Sequence, residues 1–286
     1  MMKIDAIAYT HIQAIELCHE GITGNPNLHA KLAQHMNDLG SCENVYLRSA
    51  NTGELYTIPA LDPELGQDPV VVGNLLKSEL NKFYTNYFVP EKKPARKIYD
   101  ALLNSAQEDC PFCGGIGTPR NLDHFLPKAH FPQFSILPAN LVPSCLDCNL
   151  AEKKHAYSSR PEDQIIQPYL DQPHFFSEQW VYAKFEIGDG NEPGQFEYFV
   201  NPPPHWKELD KKRAKKHFDD FNIARRYSKQ AAKQLRVILS QIDRMQSHGV
   251  SKDEIINDLL VPGMEGATFI NHWQFAMYQA LINSDF

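Results

Sequence analysis

The residues best suited to chemistry are two pairs of cysteines, Cys110 and Cys113 in CPFCGG and Cys145 and Cys148 in CLDCNL. The chain of 286 residues has six cysteines, so four of them stand in Cys-x-x-Cys units. Four thiolates form the soft tetrahedral set that suits a structural Zn²⁺ and leave no position open for water. Such an ion staples the chain and does not catalyse. Gly114 and Gly115 follow the first pair and permit the tight backbone turn of a zinc knuckle. Thiol redox chemistry is the rival reading of a lone Cys-x-x-Cys, but it needs a βαβ setting that the flanking sequence does not offer. Cys18 and Cys42 lack such neighbours and are expected to be small buried apolar residues.

The interval between the pairs is longer than a simple zinc ribbon requires, and its residues are not generic. Asp123 and His124 lie in NLDHFLP, a short apolar piece with strand character, where successive side chains point to opposite faces. Asn140 opens NLVPSC, which could pair with it as a returning strand. Asn149 directly follows Cys148 and begins a short helical run, NLAEKKHA.

In this order the residues resemble the HNH endonuclease family, whose ββα-metal fold is a hairpin plus a helix, often clamped by two zinc knuckles. The resemblance covers residues 110 to about 155. It implies that His124 is the first family histidine, which activates water, and that Asn140 is the central asparagine. It further implies that Asp123 and Asn149 hold one catalytic divalent metal. Phosphodiester hydrolysis needs a deprotonated water and neutralisation of charge on the leaving oxygen, labour that one imidazole and one cation can divide. Carboxylate and amide oxygens are hard ligands suited to Mg²⁺ or Mn²⁺ that keeps water or phosphate in its other positions. Asn140 is expected to organise backbone groups of the hairpin and not to ligate. Lys153 lies one helical turn after Asn149, where some family members place a further metal-binding histidine; this departure suggests a phosphate contact, a role that Lys128 could share. His130 and His155 fall off the inferred metal face, and His174, His205, His217 and His272 have no ligand-like spacing.

These residues need elements to position them. NLLKSELNKFYTNYF and ARKIYDALLNSA carry helical spacing, the first ended by Pro90, and ELYTIP has strand character. WVYAKFEI and GQFEYFV, rich in aromatic and β-branched residues, predict a β-hairpin, and the chain from Trp206 onward has helical period. The expected architecture is α+β, a zinc-stapled ββα core with mostly helical flanks. It divides as an N-terminal region at 1–95, a nuclease core at 96–170, and a hairpin with C-terminal helices at 171–286.

Composition limits what such a protein can be. Net charge is −7, which argues against coating nucleic acid by bulk attraction. From Lys207 to Arg236, however, eleven Lys or Arg face four Asp or Glu. That run is either the solvated face of a helix or a phosphate-tracking surface, with Lys211, Lys212, Arg213, Lys215 and Lys216 as candidate contacts. Trp206, Phe218, Phe221 and Tyr227 within it are expected in the core and not as base-stacking platforms. No apolar stretch approaches a membrane span and the N-terminus lacks the apolar run of a signal peptide, so a cytoplasmic protein is expected. The resemblance implies a DNA substrate and points to antiphage systems of the Septu, Zorya or retron-associated type, which pair HNH proteins with ATPases or membrane motors. No phosphate-binding G-x-x-x-x-G-K-[ST] loop is present, so an ATP-driven step would belong to a partner. The rival from another class is a non-catalytic zinc module that binds nucleic acid or protein, which would need the cysteines but not Asp123, His124 and Asn149 together.

Overall fold

A computed structural model gives the three-dimensional structure and describes residues 1–5, 9–152, 157–188 and 194–285. The chain opens with helix α1 (His11–Gly21), where Thr10 and Gln13 cap one another's backbone N–H groups, and α2 (Pro26–Asn51), where the Asn25 side chain accepts from the Leu28 N–H. The two pack together and bury Ile15, Cys18, Leu32 and Leu39. Cys18 is thus a core residue, whereas Cys42 is only partly covered and its thiol reaches the Asp38 carbonyl at 3.6 Å.

ELYTIP does not form a strand. Leu55–Thr57 is a 3₁₀ turn closed by the Thr57 hydroxyl and N–H on the Glu54 carbonyl, because the buried Leu55 anchors it and no partner strand runs alongside. The first ribbon lies further on, as β1 (Val70–Val72) and β2 (Leu75–Leu76), joined across Gly73 at φ +57°. Helix α3 (Lys77–Lys82) and a π-helical turn, Phe83–Phe88, follow and stop before Pro90. Helix α4 (Arg96–Asn104) turns Ile98, Tyr99 and Leu102 inward and packs on the central ribbon.

That ribbon is β3 (Asn121–His124) against β4 (Leu141–Ser144), antiparallel, with Asp123 opposite Val142 and His124 opposite Leu141. A π-helical turn, Asp147–Glu152, follows β4. After the short α5 (His174–Ser177), β5 (Val181–Glu186) and β6 (Gln195–Val200) form the predicted hairpin in continuous register from Val181↔Val200 to Glu186↔Gln195. The chain ends in α6 (Glu208–Asp220), α7 (Ile223–Ser247), the short α8 (Lys252–Ile255) and α9 (Val261–Glu265), and α10 (Trp273–Ile282). The fold is therefore α+β, mostly helical, with two-stranded antiparallel ribbons. Buried apolar residues from all three stretches of the chain join one cluster, which includes Trp206, Phe218, Phe221 and Tyr227. No described helix is long and apolar enough to cross a membrane.

Candidate functional site

Two local turns build the metal centre. At the first knuckle the Gly115 N–H donates to the Cys110 carbonyl and the Cys110 N–H to that of Gly117, with Gly114 at φ +61° and Gly115 at +82°. A side chain at Gly114 would meet both that backbone strain and the Tyr227 hydroxyl. The second knuckle follows β4 directly, and its Cys145 N–H points at the Cys110 sulfur at 3.4 Å. All four sulfurs are buried and lie within 4.8 Å of one another. Cys113 and Cys145 Sγ are 3.9 Å apart, far too long for a disulfide. A tetrahedral zinc with bonds of about 2.3 Å would space its sulfurs by about 3.8 Å. Hydrogen bonding from Cys110 and its neighbours pulls Cys145 far below the ordinary thiol range and Cys113 with it. Burial pushes Cys110 up, and hydrogen bonding with Cys110, Cys113 and Cys145 pushes Cys148 up. Four thiols so close cannot all ionise unless a cation sits among them, so the donor set fits Zn²⁺.

Two residues outside the cysteine motifs complete this centre. Arg226, from α7, donates to Cys148 Sγ at 3.1 Å and reaches Cys145 Sγ at 3.6 Å, offsetting the negative charge of the thiolates. His217, from α6, is fully buried, with the Ile166 N–H on Nδ1 at 3.4 Å and Nε2 at 2.7 Å from the Phe112 carbonyl inside the first knuckle. Burial lowers it to about 3, so a neutral imidazole ties α6 to the knuckle. Spacing could not have found either residue, because both are brought in from more than 75 positions away.

Ribbon β3–β4 carries the remaining candidates. His124 is buried, and its Nε2 lies 2.9 Å from the Ser135 carbonyl. A carbonyl only accepts, so Nε2 holds the proton and Nδ1 the lone pair. Asp123, one residue earlier, is on the opposite, half-exposed face. Asn140 is fully buried: its Oδ1 accepts from the Leu126 N–H at 2.8 Å, and its Nδ2 donates to the carbonyls of Leu126 at 3.0 Å and Phe134 at 3.1 Å. It thereby closes the loop between the strands that also supplies the Ser135 carbonyl. Tyr84, from the π-helical turn Phe83–Phe88, sets its ring edge-on to His124 at 4.4 Å and donates its hydroxyl to the Leu122 carbonyl at 3.1 Å. Lys128 stands over the other end of this arrangement, its Nζ 4.8 Å from the Tyr84 ring centre, and burial lowers its pKa.

Asn149 is half-buried in the turn Asp147–Glu152, with its N–H on the Cys145 carbonyl at 3.0 Å, so the second knuckle orients its backbone. Lys153 and His155 lie outside the described residues. Among the described residues, the four cysteines are the group of three or more His, Cys, Asp and Glu side chains that converges on one point. His174 and His205 face Asp210 at 3.5 Å and Glu178 at 3.0 Å in a separate 620 Å³ cleft with Trp206.

The basic run requires a correction. Arg213 is 2% exposed and forms a buried ion pair with Asp171, donating also to the carbonyls of Gln164 and Ile165. A guanidinium enclosed in this way cannot reach a phosphate. Lys211, Lys215 and Lys216 pair with Glu208, Asp219 and Asp220 of their own helix, and Lys212 is exposed.

No family model matches the chain, and no solved structure matches it. A stretch of 85 residues, 28% of this chain and 31% of its counterpart, is 35% identical to the Septu protein PtuB of Bacillus thuringiensis. Protein ea31 of Escherichia phage lambda is 39% identical over 295 aligned positions, covering all of this chain and 98% of that protein. An end-to-end match at that level leaves one conclusion: the chain belongs to the family of the lambda protein ea31.

Proposed function

We propose that this zinc-stapled protein is a metal-dependent HNH-type endonuclease that hydrolyses phosphodiester bonds in DNA. The observation that carries the reading is His124 with its Nε2 held by the Ser135 carbonyl, which makes Nδ1 the nitrogen of the neutral ring that can take a proton from water. Asp123 and Asn149 would hold one Mg²⁺ or Mn²⁺, which supplies charge neutralisation at the phosphate and leaving oxygen. Asn140 and Tyr84 position the imidazole, and Lys128, with Lys153, would meet phosphate. The stretch shared with PtuB supports a role in phage–host conflict inside the cell, with nucleotide-driven control left to a partner such as an ATPase.

The test is purified chain, assayed for bound zinc and then given Mg²⁺ or Mn²⁺ with plasmid DNA, single-stranded DNA and RNA. His124→Ala should keep zinc content and circular dichroism while cleavage falls by about 10²–10⁴-fold. Cleavage equal to the parent's would remove His124 from the reaction. Cleavage by neither protein under any metal would favour the second reading, a zinc module that binds without cutting, which the closed four-sulfur centre alone would satisfy.

A further inference from the structure

We infer that the solvent face of α7 is a docking surface for the sugar–phosphate backbone of duplex DNA, a role that deepens the proposed nuclease reading and rests on it. Arg225, Lys229, Lys233 and Arg236 are all exposed and recur at helical spacing along one side of α7. They form a straight row of about 16 Å, the rise of about five phosphates along one strand of a duplex. Unlike Lys211, Lys215 and Lys216 of α6, none of the four has an ion pair or side-chain hydrogen bond among the described residues. Asp243 is the only acid in the helix.

The placement of the row is costly without a ligand. The first turn of α7 has no acid and no side-chain cap, so Arg225 sits at the positive end of the helix dipole, whereas α6 opens with Glu208 and Asp210. Arg226 has its own reason to be there in the cysteine sulfurs; Arg225 and Lys229 have none within the protein. The Arg226 contact also fixes the geography, since the row begins beside the second knuckle, which carries Asn149. Two features select the partner. The aromatic residues of the basic run are buried, which removes the stacking platform a single strand requires. The apolar face of α7, Tyr227, Ala231, Leu235 and Ile238, is committed to the core, and the single exposed Val237 is too little apolar surface to enter a membrane.

Fluorescence anisotropy of a short labelled duplex over a potassium chloride series tests this, using the full-length His124→Ala chain without added Mg²⁺ or Mn²⁺. Binding is thus read apart from cleavage, and a parent that never cuts DNA would undo the nuclease reading without touching this measurement. Substituting Arg225, Lys229, Lys233 and Arg236 together by Gln should weaken binding by about tenfold or more and flatten the slope of log affinity against log salt by about 3–4. The matching change of Lys211, Lys212, Lys215 and Lys216 should leave affinity within about twofold, because three of them already face acids. Zinc content and circular dichroism confirm that both variants fold. An unchanged slope in the α7 variant, an equal loss in the α6 variant, no duplex binding by the parent, or equal competition by single-stranded DNA, RNA or phosphatidylserine vesicles would each overturn the proposal.

Discussion

Asn140 shows how much one side chain can organise. Its carboxamide uses one acceptor and both donors on backbone groups of the loop between β3 and β4, in a site closed to water. Asn140→Ala strands the Leu126 N–H and carbonyl, each worth about 1–3 kcal/mol, and takes one of two hydrogen bonds from the Phe134 carbonyl, which keeps the Leu137 N–H. A loss of about 3 kcal/mol or more is expected by urea denaturation, and Asn140→Asp should be worse, because a carboxylate would face two carbonyls. His11 is the opposite case, a buried imidazole whose two nitrogens lack hydrogen-bond partners among the described residues. Burial lowers it from 6.5 to about 3. The unfolded chain therefore takes up a proton that the folded one refuses, so this residue lowers stability as pH falls from about 6.5 towards 3 and has no such effect above that window. His11→Leu should flatten that part of the stability–pH curve in denaturation measured from pH 7 to 4, and a curve as steep as the parent's would show that other groups control it.

At the scale of elements, the decisive event is the meeting of two knuckles. Each Cys-x-x-Cys turn is local, but neither holds an ion alone, and the second is an extension of β4 while the first precedes β3. A zinc bound by the four sulfurs would therefore pin the outer ends of the ribbon whose inner ends Asn140 closes. Because no such site exists in the unfolded chain, thiolate binding energy is folding energy. Cys145→Ser should lose bound zinc and lower the melting temperature together, and a chelator should reproduce that loss in the parent. If the variant melts like the parent with its zinc gone, the centre does not staple the fold. Tyr84 illustrates the same dependence between elements, since a turn of the N-terminal region packs on the imidazole of the central ribbon.

Over the whole molecule, the buried pair of Arg213 and Asp171 joins α6 to the segment that follows the cysteine module. Asp171 also accepts from the N–H groups of Gln167 and Gln172, and Arg213 from α6 covers the face of Phe175. Removing one partner strands the other charge in the interior. Arg213→Met is expected to cost about 3–5 kcal/mol in denaturant melts. If it costs less than about 1 kcal/mol, water reaches the pair. DNA affinity per folded molecule should not change, because Arg213 never reaches the surface.

Several features were legible in the sequence because they are local. Spacing alone marks CPFC and CLDC as chelating turns, alternation marks β3, β5 and β6, and period marks α4 and the C-terminal helices. ELYTIP has strand character but forms none, because β character needs a partner, whereas the small ribbon at Val70–Leu76 is signalled only by Gly73 and Asn74 at its turn. Tertiary structure alone decided which nitrogen of His124 is basic, that Tyr84, His217 and Arg226 attend the ribbon and the sulfurs, and which basic residues are already matched by acids. The physical reason is the same in each case. A turn or a strand is written in neighbouring residues, but a proton's position and a charge's compensation depend on groups that only folding brings within a few ångströms.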